Sequence, residues 1–135
     1  MYPFRRLPED EPVTFLSRDA PFRQITEVNE YCFHDICPDD VVVDIGANVG
    51  AFCIRAARLS HTVTAIEPVT TTLLKNNIRA NDVSVQVIEG ALGDGKPAGI
   101  CWDEHRVFTP TYTLGMITKL AGGCDFLKCD CEGAE

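Results

Sequence analysis

Two glycines and an aspartate stand where an apolar run gives way to a turn. The run covers residues 41–45, and only Asp44 interrupts it, as expected for a strand buried on both faces. In doubly wound folds, ligands bind outside the carboxyl ends of the strands, near the first strand–helix turn. We therefore expect a ligand at the turn between Gly46 and Gly50. Gly46 would let the backbone approach that ligand, and Gly50 would bring the turn tightly into a helix.

The spacing of this turn distinguishes between kinds of ligand. Residues 44–50 read Asp-x-Gly-x-Asn-x-Gly, which includes Asn48 and differs from the dinucleotide fingerprint GxGxxG. A pyrophosphate prefers a helix N-terminus without a nearby carboxylate. Asp44 instead suits a ligand with a positive end, such as the ammonium group of a methionine moiety. A plain strand–turn–helix with glycines placed for packing is the alternative.

A second acid, Glu67, comes before Pro68 at the end of the next apolar run. An acidic residue about 20 positions beyond the glycine turn matches bidentate binding of ribose hydroxyls. Each hydrogen bond to a charged acceptor contributes about 1.5–3 kcal/mol. The alternative is a solvent-exposed acid that begins a loop.

Small residues follow the third apolar stretch, at residues 88–94. Ala91 and its neighbouring glycines could leave room for a flat adenine ring, and Glu89 or Asp94 could accept a hydrogen bond from its exocyclic amine. A Gly-Asp-Gly sequence is also simply a turn.

Near the end of the chain, Lys128 and Asp130 are two positions apart on a predicted strand, so they share a face. A buried Lys128 facing Asp130 would perturb both pKa values, which is typical of functional sites. Asp130 and Glu132 would lie at the carboxyl end of that strand, beside the tip of the first strand. A structural Lys–Asp pair is the alternative.

The elements that must position these residues alternate between strand and helix patterns. Strands are predicted at residues 41–45, 63–66, 83–87 and 125–130. Helices are predicted at 25–36, 51–59, 70–80 and 113–121, with Arg55 and Arg58 facing outward, and a hairpin at 100–102 and 106–108. This order predicts an α/β fold with a mostly parallel sheet. The sheet would stop after its fourth strand and leave an unpaired edge, so we expect a fragment of a longer protein or a covering chain, such as a second copy.

Composition narrows the classes of partner. The chain has 135 residues, which suits one domain, with 45% hydrophobic residues and a formal net charge of −8. This charge argues against nucleic acid and anionic membranes as partners. No apolar run is long enough to span a bilayer, so the cytoplasm is the expected location.

Seven cysteines without a CxxC motif argue against a disulfide framework. Cys124, Cys129 and Cys131 lack zinc-ligand spacing and a nearby His, so no metal site is predicted.

Together, these stretches resemble the FkbM family of S-adenosylmethionine-dependent methyltransferases. The resemblance covers roughly residues 38–135 and rests on Asp44-Ile-Gly-Ala-Asn-Val-Gly50, Ala65-Ile-Glu-Pro68, Asn76-Asn-Ile and Phe126-Leu-Lys-Cys-Asp-Cys-Glu-Gly-Ala-Glu135. It implies a Rossmann-like class I methyltransferase fold, here truncated. Residues 1–37, before the resemblance begins, are expected to form an N-terminal arm and a lead-in helix. Thr113-Leu-Gly115 departs from the Thr-Leu-Asp usual in the family, and the family's chain continues well beyond residue 135.

The resemblance also implies roles for single residues. Asp44, Gly46, Asn48 and Gly50 would hold the methionine part of S-adenosylmethionine, and Glu67 would hold its ribose. Asp130 and Glu132 would face the methyl group and the acceptor.

From these positions we expect methyl transfer to a hydroxyl of a small molecule or glycan. Asp130 would act as base or orienting group, and Lys128 would tune it. Two alternatives stay open. One is a non-catalytic S-adenosylmethionine-binding module that acts with a partner chain. The other is a nicotinamide-dependent oxidoreductase that uses Glu67 on a ribose, against which the missing GxGxxG argues.

Overall fold

The protein is described by a computed structural model that covers residues 13–16, 31–102 and 104–131. Three α-helices lie in this part of the chain: α1 (Ala51–Ala57), α2 (Thr71–Ala80) and α3 (Leu114–Ala121). The strands are β1 (Val41–Ile45), β2 (Thr62–Glu67), β3 (Gln86–Glu89), β4 (Ala91–Leu92), β5 (Ala98–Trp102), β6 (His105–Thr109), β7 (Thr111–Tyr112) and β8 (Phe126–Cys129). In the described residues, no helix is long and apolar enough to cross a membrane.

The main sheet has four strands in the order β3-β2-β1-β8, and every neighbouring pair is parallel. The expected α/β fold with a mostly parallel sheet is therefore confirmed. Ile45, the last residue of β1, pairs with Ile66 of β2 and with Cys129 of β8. The carboxyl ends of these three strands consequently meet at one edge of the sheet, and β1 lies between the other two.

Apolar side chains cover both faces of β1, which explains its uninterrupted hydrophobic pattern. Val42 belongs to a core cluster with α1 and α2, where the rings of Phe33, Phe52 and Phe126 stack at centroid distances of 5.2 and 5.9 Å. Val43 belongs to a second cluster on the opposite face, which Ile117 of α3 helps to close. The sheet is thus the middle layer between two helical layers.

Two small sheets lie outside the main sheet. β5 and β6 form an antiparallel hairpin, which confirms the predicted hairpin and extends it at both ends. β4 and β7 form a short parallel pair. The helix predicted at residues 113–121 is also present, with Thr113 as its N-cap and Gly122 in the left-handed conformation at its end.

Several predicted boundaries were wrong. β3 begins at Gln86 rather than at residue 83, and α1 ends at Ala57. Arg55 is buried rather than outward-facing, and its guanidinium donates a hydrogen bond to the carbonyl of Ala51. The lead-in helix predicted at 25–36 falls mostly outside the described residues, and the part described holds a short 3₁₀ helix, Phe33–Asp35.

A short piece of the N-terminal arm packs along α2. Val13 is buried, and the backbone of Thr14 both donates to and accepts from the side-chain amide of Asn81. Asn77, which is fully buried, accepts from the backbone N–H of Leu16 at 2.9 Å and donates to the carbonyl of Val49 at 2.8 Å. One amide therefore joins the arm, α2 and the glycine turn.

Replacing Asn77 tests this junction. Asn77→Ala leaves the buried carbonyl of Val49 and the part-buried N–H of Leu16 unpaired, so we expect it to lower the free energy of unfolding by about 1–3 kcal/mol. The matched control is Asn76→Ala, whose side chain accepts only an exposed hydrogen bond from Arg79 and should change stability by less than about 0.5 kcal/mol. Urea denaturation of both variants gives the comparison, and equal losses would contradict the role of Asn77.

Candidate functional site

The turn after β1 is fixed by backbone hydrogen bonds to both neighbouring strands. The N–H groups of Gly46 and Ala47 donate to the carbonyl of Ile66, at 2.9 and 3.1 Å. On the other side, the N–H of Asp130 donates to the carbonyl of Ile45 at 3.0 Å. The turn and the segment after β8 are therefore in direct contact, as the sequence predicted for the tips of these strands.

Gly46 and Gly50 both have positive φ angles, of 79° and 99°. A Cβ on Gly46 would lie 2.1 Å from the carbonyl oxygen of Asp130, and one on Gly50 would lie 2.9 Å from side-chain atoms of Ile54 and Leu74. The sequence predicted that Gly46 lets a ligand approach the backbone closely. In this structure, the backbone of Asp130 takes up the space where a Cβ of residue 46 would lie. Gly50 lets the turn enter α1 closely against α2.

A buried ion pair lies beneath the turn. Asp44 and Lys128 are register partners on β1 and β8, and Lys128 Nζ lies 3.0 Å from Asp44 Oδ1. The Lys128 ammonium also donates to the carbonyl of Gly46 at 3.0 Å and lies 5.7 Å from the centre of the Tyr31 ring. The expected pairing of Lys128 with Asp130 was wrong, because Lys128 is buried and pairs with Asp44 across the sheet, whereas Asp130 is exposed beyond the strand.

Burial controls the ionisation of Asp44. Its side chain is fully buried, and this desolvation raises its pKa above the ordinary 3.8, although the ammonium of Lys128 acts in the opposite direction. The like charge of Glu67 raises the pKa further. No donor lies within hydrogen-bond geometry of Asp44 Oδ2, although the nearby backbone N–H of Cys53 acts to lower the pKa of this carboxyl group.

Glu67 organises the loop on the other side of the turn. Its carboxylate accepts hydrogen bonds from the backbone N–H groups of Asn48 (2.7 Å), Val69 (2.8 Å) and Thr70 (3.2 Å), and only 6% of the residue is exposed. These bonds use three of about four acceptor positions on a carboxylate. Glu67 is therefore not a solvent-exposed loop acid. Bidentate binding of a ribose would require it to release part of this backbone network.

Asn48 connects the glycine turn to the loop that Pro68 begins. Asn48 has a left-handed φ of 52°, and its side-chain oxygen accepts from the hydroxyl of Thr70 at 3.3 Å. Pro68 is half-buried between Glu67 and this loop. Asn48 and Pro68 thus lie next to Glu67, where the sequence placed them.

The residues expected to hold an adenine ring are more scattered. Glu89 is exposed at the end of β3 and is the register partner of Glu67, so it lies at the same edge of the sheet. Asp94 instead closes a local turn by accepting from the N–H of Lys96. Ala91 pairs with Thr111 in the β4–β7 sheet.

The room expected beside these small residues is partly taken by β7. A Cβ on Gly90 would lie 2.5 Å from the ring of Tyr112, and one on Gly93 would lie 2.7 Å from Thr111. The glycines here therefore make space for β7. Glu132 lies outside the described residues.

Asn77 supports the glycine turn through its bond to Val49, and the sequence analysis assigned it no role. Its position on the inward face of α2, between Leu74 and Ile78, was the available signal, because a polar side chain there must find buried partners. In the described ranges, no group of three or more His, Cys, Asp or Glu residues could hold a metal ion.

Comparison with known proteins adds two solved structures. The chain is similar to the tRNA m1G37 methyltransferase of M. jannaschii and to Methanocaldococcus jannaschii Trm5 in complex with adenosine, each with 29% identity and a TM-score of 0.38. Each match covers 59% of this chain and 24% of the other, so the chain spans about a quarter of the length of these proteins. No family model and no curated protein matches it, so membership of the FkbM family stays a prediction.

The contact between Gly46 and Asp130 can be tested by a pair of glycine substitutions. Gly122 also has a left-handed φ, of 84°, but a Cβ there would meet nothing within 4 Å. Gly122→Ala should therefore cost only the backbone strain of about 1–2 kcal/mol. Gly46→Ala adds a clash with backbone atoms and should cost about 3 kcal/mol or more. Denaturation curves of the two variants measure the difference, and similar losses would refute a tight contact.

The ion pair makes a prediction that depends on pH. Lys128→Met leaves Asp44 without its cation, which should cost about 3–5 kcal/mol at neutral pH. Because the pKa of Asp44 is raised in the folded state, its contribution to stability is full below the ordinary 3.8 and is lost as pH rises. Loss of Lys128 raises that pKa further, so the destabilisation should shrink on acidification.

The control for this pH dependence is the double variant Asp44→Asn with Lys128→Met, which has no carboxylate to titrate. Unfolding free energies from pH 3 to pH 7 should converge for the single and double variants at the acid end. A destabilisation of Lys128→Met that is independent of pH would argue against a buried, ionised Asp44.

Proposed function

We propose that this edge of the sheet binds S-adenosylmethionine and that the chain is part of a methyltransferase of the FkbM kind. The observation that carries the proposal is the pair of buried acids beside the glycine turn, Asp44 and Glu67. Two buried cations, Lys128 and Arg55, balance the charge of these acids.

These two acids suit the proposed ligand, whose ammonium group and ribose hydroxyls can donate hydrogen bonds to carboxylates. S-adenosylmethionine has an ammonium, a sulfonium and a carboxylate, and so carries one net positive charge. A nicotinamide dinucleotide would instead bring a doubly charged pyrophosphate toward Asp44 and Glu67, which like-charge repulsion disfavours. The burial of both acids therefore supports S-adenosylmethionine over the oxidoreductase alternative.

The hydrogen-bonding needs of the site point the same way. Asp44 Oδ2 lacks a donor, which an ammonium group would supply. In the proposal, Gly46, Asn48 and Gly50 shape the turn around the methionine end. Glu67 and Pro68 receive the ribose.

The adenine would lie farther along the same edge. Glu89, the register partner of Glu67, is the nearest candidate for its exocyclic amine. Ala91 and Asp94 stay assigned to this region as the sequence proposed, although Asp94 would have to leave its turn to take part.

For the transfer step, the bound sulfonium supplies an activated methyl group. The protein's part is to align an acceptor hydroxyl and to accept its proton. Asp130 is exposed beside Gly46 and is the proposed proton acceptor, with Glu132 next to the acceptor. Lys128 contacts Asp44 and the turn, so it is a positioning residue. The net charge of −8 favours an uncharged small-molecule or glycan hydroxyl over nucleic acid.

Calorimetric titration of the 135-residue chain tests the binding step. We expect it to bind S-adenosylmethionine and S-adenosylhomocysteine but not NADH. Glu67→Gln should weaken binding about tenfold, because a charge-assisted hydrogen bond to the ribose contributes about 1.5 kcal/mol or more. Circular dichroism would first establish that each variant is folded.

The matched control is Asp39→Asn, which also removes one negative charge but lies in an exposed turn before β1, at the opposite end of that strand. It should leave affinity unchanged. If a folded chain binds neither nucleoside, the proposed function is wrong. If it binds both but methylates no small-molecule or glycan hydroxyl, the non-catalytic module is favoured.

A further inference from the structure

We propose that Cys129 and Cys131 are a redox-active thiol pair, and that their reversible disulfide changes the geometry of the glycine turn. The two Sγ atoms lie 3.7 Å apart. Cys129 is exposed at the end of β8, and Cys131 is half-buried against the core cluster beneath α3. The pair therefore combines an accessible thiol with a second thiol already in contact with it.

The backbone spacing permits a bond between these residues. Residues two apart in an extended chain are separated by about 6.7 Å between their Cα atoms. Disulfides span about 4.4–6.8 Å, with a preference near 5.5–6 Å. The extended spacing thus lies at the upper limit of the range, and a disulfide at the preferred span would contract it by about 1 Å, which would displace the backbone of the intervening residue, Asp130.

The chemistry requires a disulfide oxidant, for which glutathione disulfide is the natural class. The Cys129 thiolate attacks one sulfur of that disulfide, forms a mixed disulfide and releases one glutathione thiolate. The Cys131 thiolate then attacks the Cys129 sulfur and releases the second glutathione. Two electrons pass from the protein to glutathione, and the two thiol protons are taken up by the released thiolates.

The link to the turn is a backbone contact. The carbonyl oxygen of Asp130 and the Cα of Cys131 lie 2.1 and 3.3 Å from where a Cβ on Gly46 would be. The N–H of Asp130 also donates to the carbonyl of Ile45. A contraction between Cys129 and Cys131 therefore moves atoms that touch the turn directly, with no side chain between them to absorb the shift.

Cys124 provides an internal comparison. It is also exposed, but desolvation and the neighbouring Asp125 raise its pKa, which lowers its thiolate fraction. Its Sγ contacts the carbonyl of Phe126 at 3.6 Å. A disulfide that forms because of proximity should involve Cys129 and Cys131 and should be unaffected by Cys124→Ser.

The test uses the full 135-residue chain in buffers of graded glutathione and glutathione disulfide, followed by alkylation and mass spectrometry. We expect a peptide containing Cys129 and Cys131 that lacks two hydrogens, in wild type and in Cys124→Ser, and its loss on reduction. Hydrogen exchange should show faster exchange at residues 45–50 in the oxidised form. Cys129→Ser and Cys131→Ser should each abolish both effects.

Two results would overturn the proposal. Glutathionylation of either cysteine without a cross-link would show that the pair does not close. A cross-link that leaves hydrogen exchange of residues 45–50 unchanged would show that the turn does not respond. Neither readout uses S-adenosylmethionine, so failure here is distinct from failure of the proposed function.

Discussion

The ion pair between Asp44 and Lys128 is the interaction on which the candidate site depends. Removing two ions from water costs several kcal/mol for each, which their mutual attraction and the bond from Lys128 to the Gly46 carbonyl offset. The pair also fixes the register of β8 against β1, because a slip of one residue would move Lys128 to the opposite face of the sheet. These two side chains therefore hold together the carboxyl end of β1, the glycine turn and the segment after β8.

Glu67 shows how a binding residue can stabilise the protein before any ligand arrives. Its carboxylate holds the backbone of Asn48 and of the loop after Pro68, so it keeps the glycine turn and that loop together. A ligand that takes over its oxygens must replace these donors with its own. Affinity at this site therefore reflects a difference between two sets of hydrogen bonds, and a ribose with two adjacent hydroxyls is suited to that exchange.

Local patterns were sufficient for most of the fold and insufficient for the contacts within the site. Buried parallel strands read as apolar runs, and Thr113 and Gly122 mark the ends of a helix, so these elements could be predicted. The partner of Lys128 could not, because it depends on the register of β8 against β1, which no short pattern encodes. For the same reason Gly46 was assigned to a ligand, whereas its neighbour is the backbone of Asp130. The helical period predicted that Arg55 faces outward, but Arg55 is buried in the structure.

The segment from Cys129 to Cys131 concentrates several constraints in one place. It ends the edge strand, lies against Gly46 through its backbone, exposes the carboxylate of Asp130 and brings two thiols into contact. Because glycine offers no side chain at this contact, the position of the turn and the position of the segment cannot change independently. Any chemistry that shortens the segment must therefore also move the glycine turn, and this would couple thiol oxidation to the surroundings of Asp130, the residue proposed to accept the proton.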